Sequence, residues 1–309
     1  MPTERLKVVL LAGGTGGAKL AVGLRDELLP GDLTVITNPG DDVEVWGLRV
    51  CPDADAVLFR LAGIFNEAAG FGVRADTATL LGQLRDLGEP TWFHLGDRDL
   101  AFHVLRSHWL RHGHRLTEVM LELGHRLAVP TQVLPATDAR VRTIFETAEG
   151  RLSFQDYFVR RSLQPALRGI AFEGIDAAGP TREVGTALHQ ADLIVIGPSN
   201  PLISIAPILR IVGDAIDPAR TVAVSPVVGG RALKGPTVEM LRALRGEPTP
   251  EVVAREYRDK AGRFVLDRQD ADDWEAIAAT GLEPIVLDTV MSDGTAARRL
   301  ARELLAACR

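Results

Sequence analysis

A glycine-rich segment near the start of the chain has the residue types and spacing for phosphate chemistry. It contains glycines followed by a lysine, in the order Gly13, Gly14, Thr15, Gly16, Gly17, Ala18, Lys19. Glycines let the backbone come close to a phosphate, and the helix predicted to follow presents free N–H groups at its N-terminus. Lys19 adds positive charge. The segment therefore predicts a diphosphate or nucleotide site.

The same segment departs from two familiar nucleotide-binding fingerprints. Lys19 stands where the third glycine of G-x-G-x-x-G is required, and no G-K-[ST] follows as a P-loop requires. A tight turn between strand and helix, without a ligand, stays open as the alternative.

Two pairs of carboxylates follow along the chain. Asp41 and Asp42 come after the second predicted strand, and Asp53 and Asp55 lie at the start of a predicted helix. Loops at the carboxyl ends of parallel strands surround a ligand crevice, so we expect Asp41 and Asp42 on the same rim as the glycines. Two or more carboxylates near a phosphate suit Mg²⁺. Capping by Asp53 and compensation of the helix dipole by Asp55 stay open as alternatives.

A third cluster combines acidic and basic side chains in the order His94, Gly96, Asp97, Arg98, Asp99. Carboxylates in such a cluster can hold an arginine by ion pairs while the arginine reaches an anion. A surface turn in which an aspartate caps a helix explains the spacing as well. Six of the seven histidines lie at residues 94–125 without a cysteine or an H-E-x-x-H pattern, so we expect no zinc site there.

Two predicted strands in the second half of the chain end in polar turns. Residues 193–196 run into Gly197, Ser199 and Asn200, with Ser204 one turn further on. These side chains and a helix N-terminus offer donors and acceptors to a phosphate or a base edge. Residues 221–224 repeat the arrangement, with polar and glycine-rich residues that extend to Lys234 and Gly235. The pattern predicts ligand contact at both strand ends.

Short β-branched runs alternate with amphipathic stretches, which is typical of an α/β fold with a doubly wound, mostly parallel sheet. Strands are predicted at residues 7–11, 33–37, 193–196, 221–224, 264–266 and 284–287. Helices are predicted at residues 19–28, 53–62, 77–87, 99–112, 116–127, 201–211, 237–244 and 295–307. Residues 131–180 change to short strands around a hairpin turn at 148–150, which predicts a smaller inserted α+β subdomain between core segments 1–130 and 181–309.

Composition and charge exclude several classes of function. The 309 residues carry 35 Lys and Arg against 41 Asp and Glu, a net charge of −6, so the chain has no global field for nucleic acid or an anionic membrane. Cys51 and Cys308 are too few for a disulfide framework. The apolar runs are far shorter than the roughly 20 residues of a membrane helix. We expect a cytoplasmic protein without nucleic-acid or membrane partners.

In their order along the chain, these motifs resemble one family, the 2-phospho-L-lactate transferases that make the side chain of the deazaflavin coenzyme F420. The resemblance rests on residues 13–16, 38–42, 51–55, 95–99, 134–138, 154–158, 197–201 and 224–226. These motifs span nearly the whole chain, and their combination is highly specific.

The resemblance implies a Rossmann-like core and a Mg²⁺-dependent reaction. A guanosine-diphosphate-linked three-carbon acid donates a phospholactyl or phosphoenolpyruvyl group to the ribityl hydroxyl of the deazaflavin Fo, and GMP is released. By resemblance, Asp55 and His94 fall where the family contacts Fo, and Asp42 with Asp55 where carboxylates of the metal site are expected.

From spacing and resemblance together we assign roles to the site residues. The predicted catalytic residues are Asp42 and Asp55, and the predicted metal ligands are Asp41, Asp42 and Asp55. The predicted Fo-binding residues are Asp55, His94, Asp97 and Arg98. The predicted nucleotide-binding residues are Gly13, Gly14, Thr15, Gly16, Lys19, Gly197, Ser199, Asn200 and Ser204. Trp92, Phe93 and residues 154–158 are predicted to wall the deazaflavin ring, with packing between core and insert as the alternative.

One rival function stays open. A nucleotide-sugar-binding regulator of the gluconeogenesis-factor type resembles the same glycine segment and the region of Asp41 and Asp42, but need not turn over a substrate. The failed G-x-G-x-x-G pattern counts against a third reading, an NAD(P) dehydrogenase. The sequence does not distinguish a phospholactyl from a phosphoenolpyruvyl donor, and it leaves the oligomeric state open, a homodimer included.

Overall fold

Strands and helices alternate along residues 5–232 and 235–308, which the computed structural model describes. The strands are β1 (Val8–Ala12), β2 (Leu33–Thr37), β3 (Val43–Val45), β4 (Leu48–Val50), β5 (Gln132–Pro135), β6 (Arg142–Thr147), β7 (Gly150–Ser153), β8 (Leu167–Glu173), β9 (Leu193–Ile196), β10 (Thr221–Val224), β11 (Val227–Val228), β12 (Arg231–Ala232), β13 (Arg263–Asp267) and β14 (Glu283–Leu287). The α-helices are α1 (Gly14–Glu27), α2 (Pro52–Leu61), α3 (Thr79–Asp86), α4 (Asp97–Arg111), α5 (Leu116–Arg126), α6 (Arg182–Gln190), α7 (Ala206–Val212), α8 (Thr237–Arg245), α9 (Pro250–Tyr257), α10 (Trp274–Ala278) and α11 (Gly294–Ala307).

Seven of these strands form the central sheet, in the order β14-β13-β10-β9-β1-β2-β5, and all neighbouring pairs are parallel. Every residue of β1 and of β9 is buried. Strands covered by helices on both faces must be hydrophobic throughout, which explains the continuous apolar runs of the sequence. The predicted α/β, doubly wound, mostly parallel sheet is confirmed.

The two faces of the sheet belong to two separate clusters of the core. Alternate strand residues point to opposite faces, so Leu10 packs with α1, α2, α5 and α11, whereas Leu11 packs with α6 to α10. Both leucines are fully buried. The helices therefore hold the strand ends in fixed positions, as a site at those ends requires.

The direction in which strands are added reverses at β1. The strands β2 and β5 lie on one side of it, and β9, β10, β13 and β14 lie on the other. In such sheets ligands bind outside the carboxyl ends of the strands at the point of reversal. The loops after β1 and β9 meet at this point, and they carry the glycine segment and residues 197–200.

The structure corrects the predicted start of the insert. Residues 132–135 form β5, an edge strand of the main sheet, because they pair in parallel with β2. The strands β6, β7 and β8 form a separate antiparallel sheet, and the predicted hairpin turn between β6 and β7 is confirmed. The division into core and inserted subdomain stays a prediction.

Several further elements differ from the prediction. The elements that were not predicted are β3, β4, β8, β11 and β12 and the helices α6, α9 and α10, and α1 begins at Gly14 rather than at residue 19. The segment 201–211 begins as a π-helical turn, Pro201–Ile205, before α7. Lys234 lies outside the described residues. Within the described residues, no helix has both the length and the apolar character needed to cross a membrane.

Candidate functional site

A cleft of about 640 Å³ opens where the loops after β1 and β9 meet. This volume lies in the range of cavities that bind small organic ligands. Its wall is formed by the glycine segment, by polar loops after four further strands of the central sheet, and by an aromatic surface. The predicted site residues that line it are Gly13, Gly14, Thr15, Gly16, Lys19, Asp41, Asp55, His94, Ser199, Asn200 and Ser204.

The glycine segment is pressed against the turn that follows β9. A Cβ atom at Gly16 would collide with the carbonyl oxygen of Pro198, so only glycine allows this approach. The Ser199 hydroxyl donates to the Gly13 carbonyl and accepts from its N–H, which ties the two loops together. Gly14 adopts a φ of +60°, and its Cβ position is open space. The start of α1 therefore presents bare backbone to the cleft.

Asn200 and Gly197 have structural tasks in the same turn. The Asn200 side chain accepts from the N–H of Leu202 and caps the π-helical turn. Gly197 is absent from the described lining of the cleft, and a Cβ there would lie 3.0 Å from the carbonyl oxygen of Leu11. The structure thus brings Asn200 to the cleft and places Gly197 behind it.

The loop after β14 forms a wall that the sequence analysis missed. Thr289, Met291 and Ser292 line the cleft, and the Lys19 ammonium donates to the carbonyl of Met291 over 2.7 Å. Arg299 donates to the carbonyl of Val290 from α11 and fixes the loop from behind. The polar residues after the predicted strand 284–287, Thr289 and Ser292 among them, could have indicated this wall.

Asp41 and Asp53 form a pair of buried carboxylates beside the glycine segment. Asp53 accepts from the Gly14 N–H over 2.6 Å and from the Asn38 amide over 3.0 Å. Asp41 Oδ1 is buried and has no hydrogen-bond partner among the described residues. Burial raises the pKa of Asp41 well above its ordinary value, and the charge of Asp53 raises it further. Burial also raises the pKa of Asp53, to about 6.

This pair fits a divalent cation. Mg²⁺ in proteins takes one or two carboxylates and completes its shell with water and substrate phosphates. No group of three or more His, Cys, Asp or Glu side chains suited to a metal occurs in the described part of the chain. Asp41 Oδ1, which makes no hydrogen bond of good geometry with a described residue, could serve as a ligand atom, and a cation would offset the unfavourable burial of two neighbouring negative charges.

The carboxylates of Asp42 and Asp55 are held by arginines. Asp42 pairs with Arg49 over 2.8 Å and does not line the cleft. Asp55 lines the cleft, but both of its oxygens accept from Arg106, which is completely buried. The catalytic and metal-binding roles of Asp42 and Asp55 stay predictions, and in the structure both carboxylates are paired with arginines.

Asp97 and Asp76 cap each other's helices. Asp97, the first residue of α4, accepts from the N–H groups of Thr79 and Leu80 at the start of α3. Asp76, just before α3, accepts from the N–H groups of Arg98 and Asp99 in α4. A hydrogen bond from the Thr77 hydroxyl and those from α3 lower the pKa of Asp97 to about 2.

The structure also bears on two other sequence-based assignments. Neither Asp97 nor Arg98 lines the cleft, and their contact with Fo stays a prediction. Asp53 does not cap its own helix α2, because Cys51 holds that position and the Asp53 side chain accepts from the N–H of Gly14 at the start of α1.

An aromatic surface forms the other side of the cleft. It contains Trp92, Phe93, Phe154 and Phe158, and the last two rings are stacked with their centroids 5.3 Å apart. His94 lies edge-on to the ring of Phe71, at 5.6 Å. The cleft thus joins a polar end at the glycine segment to an apolar end that suits a flat ring.

Comparisons with known proteins agree with this architecture. The family model described as 2-phospho-L-lactate transferase CofD matches residues 8–303. A 2-phospho-L-lactate transferase from Methanopyrus kandleri is 39% identical over 97% of both chains. A phosphoenolpyruvate transferase from Thermobifida fusca is 37% identical over 93% of both chains. A solved structure of a UPF0052 family member from Bacillus halodurans matches in fold alone, with a TM-score of 0.65 and 18% identity over 98% of this chain and 99% of that chain.

Proposed function

The chain belongs to the 2-phospho-L-lactate transferase CofD family, and from this premise we propose a specific reaction for its cleft. A phospholactyl or phosphoenolpyruvyl group moves from a guanosine-diphosphate-linked donor to the ribityl hydroxyl of the deazaflavin Fo, and GMP leaves. Its named relatives are transferases, and the protein is an enzyme of that class.

The observation that carries the proposal is the position of the Asp41 and Asp53 pair. It lies beside the Gly14 N–H, at the reversal point of the sheet and at the polar end of the cleft. A helix N-terminus favours a phosphate, whereas two carboxylates buried next to each other are unfavourable without a counterion. The pair therefore supports a metal-bound diphosphate as the ligand.

Asp41 and Asp53 would hold Mg²⁺, which is proposed as the cofactor. When bound, the ion would neutralise the negative charge that develops on the transferred phosphate. Asp41 contributes its free Oδ1 atom, and Asn38 fixes Asp53 by the hydrogen bond to its second oxygen. Lys19 supplies positive charge at the same end of the cleft.

The two ends of the cleft suit the two substrates. The start of α1 and the turn after β9 would hold the diphosphate, and the aromatic surface would hold the deazaflavin ring. A new bond forms between the acceptor oxygen and the phosphorus of the three-carbon unit. The bond from that phosphorus to the GMP oxygen breaks, and the hydroxyl proton passes to a base or to water. No covalent intermediate is needed.

A single assay tests the proposal. The protein is incubated with Fo, Mg²⁺ and either guanylylated phospholactate or guanylylated phosphoenolpyruvate, and both GMP and the Fo product are quantified. We expect equal amounts of GMP and product with at least one donor, and none after Mg²⁺ is chelated. Donor binding without turnover would instead favour the nucleotide-sugar-binding regulator.

A further inference from the structure

Asp99 and His103 form a second polar pair, on a different wall of the cleft from Asp41 and Asp53. They are separated by one turn of α4, and both side chains line the cleft. Asp99 is 6% exposed and His103 is 1% exposed. The distance from His103 Nε2 to Asp99 Oδ1 is 3.2 Å. No role predicted from the sequence uses this pair.

The neighbours of His103 determine which ring nitrogen carries the proton. Nδ1 lies 3.1 Å from a guanidinium nitrogen of Arg106, which can only donate, so Nδ1 must accept. The alternative acceptor for a proton on Nδ1, an oxygen of Asp55, is 3.7 Å away and too distant for a hydrogen bond. The proton is therefore on Nε2, the ring nitrogen that lies 3.2 Å from Asp99 Oδ1.

Nε2 and Asp99 Oδ1 nevertheless do not bond to each other. They are close enough, but neither atom makes a hydrogen bond of acceptable geometry with any described residue, and both are buried. Most buried polar atoms in folded proteins are hydrogen-bonded, and one that is not destabilises the protein. One polar group beside the pair, within hydrogen-bond distance of both atoms, could satisfy the donor and the acceptor together.

A hydroxyl group is the chemical complement of this pair. Its oxygen can accept from His103 Nε2 while its proton is donated to Asp99 Oδ1. A carbonyl would satisfy only the histidine, an ammonium only the aspartate, and a phosphate oxygen would be repelled by Asp99. The surrounding lining includes Phe59 and Phe65, which exclude water and strengthen hydrogen bonds made there.

We propose that Asp99 and His103 form a hydroxyl-binding site that holds one ribityl hydroxyl of the acceptor. The inference rests on the proposed function, since it takes Fo as the acceptor. Arg106 acts as a positioning residue, because its contact with Nδ1 fixes the tautomer of His103. The site would select a polyol chain over an apolar chain of the same length.

Binding of Fo alone, measured by isothermal titration calorimetry, tests the site without turnover. Asp99→Asn should weaken Fo binding about 10- to 100-fold, as expected for a lost hydrogen bond to a charged group. His103→Leu should weaken it about 10-fold. His103→Gln should stay within about 3-fold of the wild type, because its amide can accept from Arg106 and donate to the hydroxyl. His108→Gln, exposed on the same helix, is the control and should bind normally.

Fo analogues that each lack one ribityl hydroxyl distinguish a binding role from a structural one. If Asp99 were only structural, each deletion would change the affinity of wild type and variant equally. One analogue should bind the wild type about 10-fold more weakly, and the same deletion should cost almost nothing in Asp99→Asn. Thermal unfolding and the KM for the donor should be unchanged in this variant. Equal sensitivity of wild type and variant to every deletion would overturn the hydroxyl site alone. Failure of the wild type to bind Fo would overturn the proposed function as well.

Discussion

The Asp53 carboxylate and the Gly14 N–H are joined by a hydrogen bond of 2.6 Å. The bond connects the start of α2 to the start of α1, so the carboxylate pair and the glycine segment have a fixed separation. In this arrangement Asp53 occupies a backbone donor that a phosphate oxygen would otherwise use. Phosphate binding and the orientation of Asp53 are therefore coupled through one N–H group.

Removing the Asp41 carboxylate should lower the transfer activity and raise the stability of the metal-free protein. Asp41→Asn eliminates a buried charge that lies near another negative charge, so the metal-free protein should melt at a higher temperature, by about 2 °C or more. Transfer should fall by at least about 10²-fold, because a metal ligand is lost. Scanning calorimetry with and without Mg²⁺ checks this. Mg²⁺ should raise the melting temperature of the wild type only, and an equal increase in Asp41→Asn would contradict the assignment.

The glycine at the start of α1 should be required for nucleotide binding. Gly14→Ala places a methyl group in the open cleft at a φ of +60° and should weaken GDP binding at least about 10-fold, with Fo binding nearly unchanged. The matched control is Gly31→Ala, an exposed turn position with a φ of +85° and open space around it. If both variants lost GDP affinity equally, backbone strain rather than the cleft would be responsible.

Arg106 should contribute strongly to stability through Asp55, in addition to its contact with His103. Arg106→Met leaves the Asp55 carboxylate buried without its partner and should destabilise the protein by about 3–5 kcal/mol in urea unfolding. The double variant Arg106→Met with Asp55→Leu should recover much of this loss. Arg126→Met breaks an exposed pair and should cost about 1 kcal/mol or less. No recovery in the double variant would indicate that the pair is not the cause.

The aromatic surface should act on the acceptor only. Trp92 is 39% exposed at the cleft, so Trp92→Ala should raise the KM for Fo by about 10-fold and leave the KM for the donor unchanged. Trp274→Ala, at a similarly exposed tryptophan away from the cleft, should change neither constant. A rise in both KM values would show that Trp92 supports the cleft as a whole.

The protein should lose stability in acid as Glu183 becomes protonated. Hydrogen bonds from Arg115 lower the pKa of Glu183 to about 2 from an ordinary value of 4.5. A carboxylate with a depressed folded-state pKa stabilises the protein above its unfolded-state pKa, and this stability is lost as the pH falls from about 4.5 to 2. Glu183→Gln should flatten the melting temperature across this window. Arg115→Gln should flatten it further, because Arg115 also pairs with Glu118 and Asp138, and the double variant should add little to the effect of Arg115→Gln.

The central sheet was predictable because burial on both faces imposes apolar runs on its strands. The strand β5 lies in the segment predicted as the insert but pairs with β2 in the central sheet, and nothing in its composition indicates that partner. Periodicity also found most of the longer helices. It missed α6 and α9, which are nine and eight residues long.

The sequence identified the loops that form the site, but it could not show which of their carboxylates are paired with arginines. The sequence places Asp53 and Asp55 on one helical turn and cannot tell which of them is neutralised. That choice depends on Arg106, which is 51 positions from Asp55 in the chain. Likewise, the sequence does not show that Asp97 contacts the start of α3, because this contact forms only in the tertiary fold. Asp97 was therefore expected near the acceptor.

The reciprocal caps of Asp76 and Asp97 have a consequence for hydrogen exchange. Of the eight residues of α3, only Leu81 is buried, so packing contributes little to this helix. Its start depends on the side chain of a residue that begins α4, and the start of α4 depends on Asp76 in turn. The amide protons of α3 and the first turn of α4 should therefore become accessible to deuterium together, far faster than those of the sheet. The segment would open as one cooperative unit while the remainder of the protein stays folded.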